Sequence, residues 1–302
     1  YNRQIYNKLV VNSREEAVAV AIQKGYLAAQ ERAKRPHNLP ASTTPFIGRK
    51  QELSTLAELL RKPDTHLVTI VGVGGMGKTR LALETGYHFI KCAEEEPFRD
   101  GIYFVELAPI HSPDHIVSAI ADTVKFRFQT GERSQEEQLL GYLKNKKLLL
   151  ILDNFEHLLD DALVVTQILE GASNSKILVT SRERLNLSSE TVFNLKGMDF
   201  PTDYLVQNAC EYSSVELFIQ AARRVRHDFT VEGENLKHIV RICHLVQGMP
   251  LGIILAATWV EILSPSEIDH EITRSIDFLA SEQRDLPRRL HSIRAGFDHT
   301  WN

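Results

Sequence analysis

The sequence predicts an α/β fold: a parallel five-stranded sheet with helices on both faces, followed by a helical domain. Three observations carry this. Five short apolar runs, Leu67–Val71, Ile102–Glu106, Leu148–Leu152, Lys176–Thr180 and Thr191–Leu195, have strand length. Helix-patterned stretches separate the first four, and apolar strands alternating with helices belong to parallel sheets covered on both faces. After about residue 205 the strand signal stops and only helical runs follow.

The elements can be justified in order. Tyr1 to Gly25 reads as two short helices: Ile5 and Leu9 share a face, Ser13 and Glu16 form a capping box, and Gly25 suits a helix stop. Residues 31–45 turn basic and then Pro/Ser/Thr-rich, which is linker composition. Leu53, Leu56, Leu59 and Leu60 put a helix over 49–61, ended by Pro63. Further helices are expected at 78–91, 113–125, 134–144 (capping box Ser134/Glu137) and 155–170. The later helical runs are 213–226 (capping box Ser213/Glu216), 235–247, 251–263 and 266–280, with Gly248-Met249-Pro250 breaking two of them. A last run starts at Arg288. The division expected is a segment 1–30, a linker 31–45, an α/β domain 46–205, a helical domain 206–286 and the start of another domain at 287–302.

Composition excludes several classes. The 302 residues are 43% hydrophobic and 25% charged, ordinary for a globular protein. At roughly 100–200 residues per domain they suffice for about two domains. The longest apolar stretches, Leu148–Leu152 and Leu251–Val260, fall well short of the ~20 residues that span a bilayer, and no signal-peptide pattern is seen. A net charge of −4 does not suit a polycation that coats nucleic acid. The charge is uneven, however: residues 1–50 hold nine Lys/Arg against three Asp/Glu, and residues 51–302 hold 26 against 36. Cys92, Cys210 and Cys243 are dispersed and form neither a metal-ligand pattern nor a disulfide framework. They read as small buried side chains in a reducing cytoplasm. His111 and His115 have metal-like spacing, but Ser112-Pro113 starts a helix between them and takes His111 off its face. Arg223 to His227 reads as a solvated helix face and Trp259 as core.

The most specific feature is Gly72-Val73-Gly74-Gly75-Met76-Gly77-Lys78-Thr79, the pattern GxxxxGK[ST], with an apolar strand running in and a helix running out. Glycines let successive N–H groups curl around phosphate oxygens, and the helix N-terminus adds partial positive charge. This is a P-loop. Gly72, Gly74, Gly75, Met76, Gly77, Lys78, Thr79 and Arg80 are its candidate nucleotide contacts, with Lys78 on the β/γ-phosphates and the Thr79 hydroxyl on Mg²⁺. Leu148–Leu152 ends in Asp153, which supplies the magnesium-shell carboxylate, so the candidate metal residues are Thr79 and Asp153. The next residue is Asn154, whose neutral amide can position water but cannot be a general base. Glu156 could substitute, or could simply sit in the first turn of the following helix. Slow turnover follows. Arg182, at the end of Lys176–Thr180 and the polar residues after it, could sense a γ-phosphate. No Asn-Lys-x-Asp motif reads guanine, which favours adenine.

GVGGMGKT, LLLILDN, KILVTSR and GMPL, in that order, resemble the NB-ARC nucleotide-binding module of STAND-class signalling ATPases over about residues 45–302. The resemblance is closest to bacterial regulators that pair this module with a LuxR-type DNA-binding domain. It implies a P-loop ATPase sheet with nucleotide between it and the helical domain. It also implies that Phe46, Ile47, Gly48 and Arg49 flank the adenine, that Arg182 is the sensor arginine, and that Pro250, followed by Leu251, packs on the base. Residues 1–30 are similar to the C-terminal half of a LuxR-type helix-turn-helix, and 287–302 to the start of a winged-helix domain.

The leading functional expectation is an ATP/ADP switch with Mg²⁺, hydrolysing slowly at most, in a signal-responsive transcriptional regulator. Its partners would be an adenine nucleotide, an inducer the sequence does not name, DNA in the full-length protein but not through this chain alone, and a second copy in the ATP state; no membrane is expected. Two competing readings are a DNA-binding transcription factor whose nucleotide site is mainly structural, favoured by the basic N-terminal segment, and a fast motor- or clamp-type ATPase.

Overall fold

A computed structural model describes Val20 and residues 35–91, 97–110, 112–202, 208–231, 233–275 and 278–279. The chain separates into two units, Tyr1–Pro36 and His37–Asn302. The expectations for 1–30, for 287–302, for Cys92 and for His111 fall outside the described residues, Val20 apart.

In the second unit the order is α1 (Lys50–Arg61), β1 (Leu67–Val71), α2 (Lys78–Lys91), β2 (Gly101–Glu106), α3 (Pro113–Thr123), α4 (Gln135–Leu143), β3 (Leu148–Asp153), α5 (Leu163–Gly171), β4 (Lys176–Ser181) and β5 (Glu190–Asn194). Among the described residues four helices follow: α6 (Ser213–Val225), α7 (Gly233–Leu245), α8 (Pro250–Thr258) and α9 (Pro265–Arg274). The five strands form one parallel sheet in the order β2-β3-β4-β1-β5.

Side-chain alternation explains why the central strands are apolar without interruption. Leu148, Leu150 and Leu152 face one core with Ile177 and Val179, against α3, α4 and α5. Leu149 and Ile151 face the opposite core with Leu178, Val68 and Ile70, against α1 and α2. Period-two strands buried on both sides need apolar residues at every position. A third core belongs to the helices after β5, with Phe218, Ile239, Cys243 and Ile253 at its centre. Val73 and Met76 of the P-loop pack onto it.

The structure corrects the sequence reading in several places. The helix expected at 155–170 begins as two 3₁₀ turns, Phe155–His157 and Leu159–Asp161, and becomes α-helical only at Leu163. Asn154 in the left-handed region (φ 66°) sets that start, a conformation Asn tolerates better than most residues. The Ser134/Glu137 capping box forms, but Ser213/Glu216 does not. The Ser213 hydroxyl instead donates to the Asp199 carboxylate, and Tyr212 is the N-cap. A capping box also forms at Ser264/Glu267. The run 251–263 divides into α8 and a 3₁₀ turn, Trp259–Glu261. Cys210 is exposed rather than buried.

Within the segment of linker composition, the residues from His37 onward pack along the α/β domain. His37 makes a parallel bridge with Ile102, and the Asn38 amide pairs with Phe104 in both directions (Nδ2 to Phe104 O 2.8 Å; Phe104 N–H to Oδ1 2.7 Å). The edge of β2 is thereby covered. Leu39 is buried over α2, where a Cβ on Gly86 would lie 2.8 Å from its Cδ1. Tyr87 then donates to Pro40 O at 3.0 Å, and Arg80 to Thr44 O at 2.6 Å. The strap ends at Phe46 and Ile47. No helix among the described residues is long and apolar enough to cross a membrane.

Candidate functional site

The topology sets the site. β4 lies between β1 and β3, with Val71 opposite Ser181 and Leu152 opposite Val179. The P-loop, Asp153, Thr180 and Arg182 therefore leave the sheet at the same carboxyl edge, where open α/β sheets bind ligands. Asp153 is 2% exposed, and its Oδ1 accepts from Thr79 Oγ1 at 2.7 Å and from Thr180 Oγ1 at 2.6 Å. The Asn154 N–H donates back to Thr180 Oγ1 at 3.0 Å. Hydrogen bonds to a charged group are each worth about 1.5–3 kcal/mol, so this corner is firmly held.

Lys78 opens α2, and its Nζ donates to Gly72 O (2.6 Å) and Val73 O (3.1 Å) across the loop. Thr79 Oγ1 and Asp153 Oδ1 give two oxygen donors at one point. Among the described residues no group of three or more His, Cys, Asp or Glu could hold a metal alone. That donor set fits Mg²⁺, which is bound by few protein oxygens together with phosphates and water.

A cavity of about 380 Å³ opens between the sheet edge and the helical layer, within the usual range for small-molecule sites. Its wall includes Phe46, Ile47, Arg49, Gly74, Gly75, Gly77, Lys78, Thr79, Arg80, Asn154, Glu156, Arg182, Pro250 and Leu251. Four expected residues stand behind it. Asp153 is reached through Thr79, and Gly72 receives Lys78. Met76 belongs to the apolar packing on both sides of the site, and Gly48 packs against Ser213.

Two arginines do work that the motifs did not indicate. Arg49 is 7% exposed, with φ 54°, and its guanidinium donates to Met76 O (3.1 Å), Lys196 O (2.9 Å) and Glu52 (3.1 Å). It pins the P-loop to the exit of β5, and burial lowers its pKa. Arg80 pairs with Glu84 (3.0 Å) and stands 5.9 Å from the Phe46 ring centroid, joining the strap to the first turn of α2.

The helical layer closes the cavity through backbone contacts. The Leu251 N–H donates to Gly75 O at 3.2 Å, and Met198 N–H to Gly248 O at 2.8 Å. Gly75 (φ 81°) has no room for a side chain, since a Cβ would lie 2.9 Å from Leu251 Cβ. Gly248 (φ 66°) would drive a Cβ into Met198 O. Both positions also need the left-handed conformation that glycine alone adopts freely.

Leu217 and Arg224 of α6, with Ile254 of α8, are wall residues that the sequence reading missed. Arg224 is exposed, in keeping with a solvated helix face, and also borders the cavity. Its signal was the seven-residue spacing from Leu217, which puts the two on one side of a helix. Thr44, Pro45, Thr180 and Met198 were missed too. Thr180 lies within KILVTSR, where only Arg182 was given a role, and no motif marks the other three, which only the fold brings to the cavity.

The family model described as the NB-ARC domain matches residues 49–196. Residues 49–196 are an NB-ARC domain. The match begins at Arg49 and ends at Lys196, the two residues joined by the 2.9 Å bond above. A relative from Mycobacterium tuberculosis, Rv0890c, named as a candidate HTH-type transcriptional regulator, is 35% identical over 234 residues, covering 77% of this chain and 24% of its own. The regulatory protein AfsR of Streptomyces griseus is 26% identical over 275 residues, covering 87% of this chain and 25% of its own. The chain thus spans about a quarter of the length of these relatives. Among solved structures, the Aeropyrum pernix ORC2 protein in ADPNP–ADP complexes superposes with a TM-score of 0.50 at 18% identity, over 80% of this chain and 72% of that one. At that identity the likeness is one of fold. The NB-ARC domain thus carries the parallel sheet and the loop, while Pro250, Leu251 and Arg224 come from outside it.

Proposed function

We propose that the chain is an adenine-nucleotide switch within a longer transcriptional regulator. The site binds Mg²⁺ with ATP or ADP and hydrolyses ATP slowly at most. The observation that carries this is the convergence of Lys78, Thr79 with Asp153, and Arg182 on one cavity whose opposite wall is the helical layer. A ligand held by both walls biases their arrangement, which is how a phosphate becomes a signal. Phe46 to Arg49 and Pro250 belong to the adenine end in this reading, and Arg182 to the γ-phosphate end. Asn154 beside Asp153 supports slow turnover, because a neutral amide cannot accept a proton from water at neutral pH.

The test is calorimetric titration of the protein with Mg–ATP and Mg–ADP. Wild type is expected to bind both, and Lys78→Ala to bind neither tightly. Unchanged affinity in the variant removes Lys78 from the site and with it the phosphate-loop reading. Turnover is expected to stay well below the ~10 per second of a typical enzyme.

The relatives' names and the basic residues 1–50 favour DNA as a partner of the full-length protein. In this reading residues 1–30 are part of a DNA-binding module, 31–45 its linker, 46–205 the nucleotide domain, 206–286 its helical lid and 287–302 the beginning of a further domain. The inducer and self-association in the ATP state belong to the same proposal.

A further inference from the structure

We infer that Glu156 is a positioning residue that holds Arg182 and sets how strongly the site prefers a nucleoside triphosphate over a diphosphate; the inference rests on the switch reading above. Arg182 Nε lies 3.3 Å from Glu156 Oε1, and both side chains line the cavity. They are only 26% and 21% exposed, so the pair is not an ordinary surface contact. Both partners hang from one hydrogen-bonded corner. Glu156 follows Asn154, whose N–H is bonded to Thr180, and Phe155, which is fully buried. Arg182 stands two residues after Thr180, which is bonded to Asp153.

A second observation concerns the other carboxylate oxygen. Glu156 Oε2 is buried and has no hydrogen-bond partner among the described residues. A buried acceptor without a donor is costly, so the guanidinium is the main compensation for this charge. Glu156 therefore needs Arg182 more than a solvated glutamate would.

The consequence for ligands is one-sided. A triphosphate adds a γ-phosphoryl group, which carries more charge than a carboxylate and offers three acceptor oxygens to a guanidinium. The Glu156 carboxylate competes with it for the positive charge of that one guanidinium, even where Nε stays on Glu156 and the Nη groups turn to the phosphate, and any weakening of the pair leaves the carboxylate underbonded. A diphosphate asks nothing of Arg182. Glu156 thus lowers affinity for the triphosphate and leaves the diphosphate unaffected, which biases the switch toward its ADP form. The same pairing keeps occupied the carboxylate that could otherwise act as a general base.

The experiment is calorimetry on the full chain with Mg–ADP and with a non-hydrolysable Mg–ATP analogue. Glu156→Gln keeps the side-chain shape and removes the charge. It is expected to tighten the analogue about fivefold, the difference between a charged and a neutral hydrogen-bond partner, with ADP unchanged. Glu156→Ala is expected to move the ratio the same way, and thermal unfolding without nucleotide checks that both variants are folded. In an Arg182→Gln background, Glu156→Gln should alter neither affinity. An unchanged ratio, an equal change for both ligands, or an effect that persists without Arg182 overturns the inference. Failure of the wild type to bind either nucleotide overturns the switch reading itself, and this inference with it.

Discussion

Cys210 and Cys243 look alike in the sequence and differ entirely in the fold. Cys243 is buried in the helical core, where desolvation pushes its thiol up to about 12, and Cys210 is exposed on a 3₁₀ turn. The thiolate is the reactive form, so Cys243 is inert in the native protein. Peptide mapping after brief alkylation at neutral pH should find Cys210 modified and Cys243 unmodified until denaturant is added. Early labelling of Cys243 would mean that this core opens. Lys78, Thr79 and Asp153 stood out as single residues, because the proposed phosphate and magnesium chemistry calls for those types at that spacing, and the fold brings them to one sheet edge. Arg49 was legible only as part of a resemblance. Its work on Met76 O and Lys196 O joins segments far apart in the chain, and no local pattern encodes such a contact.

Among the elements, the strands were the most legible. Burial on both faces demands unbroken apolar runs, and each expected strand lies within a residue of the observed one at either end. Helix starts were less so. Ser213 read as a cap, but the Asp199 carboxylate competes for its hydroxyl. The helix after β3 starts late because the left-handed Asn154 turns the chain before it can coil. The strap His37–Ile47 was legible only as a linker, since Pro, Ser and Thr report a lack of regular structure and not a lack of contacts. Its docking depends on the absent side chain of Gly86. Gly86→Leu should therefore lift Leu39 from α2, destabilise the protein by about 1–3 kcal/mol and expose Ala41–Thr44 to limited proteolysis. Wild-type cleavage kinetics together with an unchanged denaturation midpoint would show that the strap does not depend on this contact.

For the whole molecule, the sheet and the helical layer meet at the cavity through Gly75–Leu251, Met198–Gly248 and Met76. A nucleotide held by the P-loop should stabilise helices that carry none of its phosphate ligands. Trp259, stacked on Phe278 at 4.6 Å, reports that layer. With Trp301→Phe to leave Trp259 as the sole tryptophan, nucleotide at a hundredfold over its dissociation constant should raise the unfolding free energy seen by fluorescence by about 2.7 kcal/mol. The shift should vanish in Lys78→Ala. A nucleotide shift in far-UV circular dichroism with the Trp259 transition unmoved would show that the two layers are uncoupled.

The sequence by itself determined the parallel α/β class, the phosphate loop, the carboxylate at the end of its partner strand and the change to helices after the sheet. Each of these is a local demand: apolar runs for double-sided burial, glycines for close backbone approach, fixed residue types for phosphate and magnesium. Only the tertiary structure decided that β4 runs between β1 and β3, so that Thr180 ties Asp153 and Arg182 meets Glu156. It also decided that Arg224 faces the cavity and that the linker becomes a strap. Those are contacts between segments distant in the chain, where each partner alone is an ordinary polar side chain and its meaning depends on what the fold sets beside it.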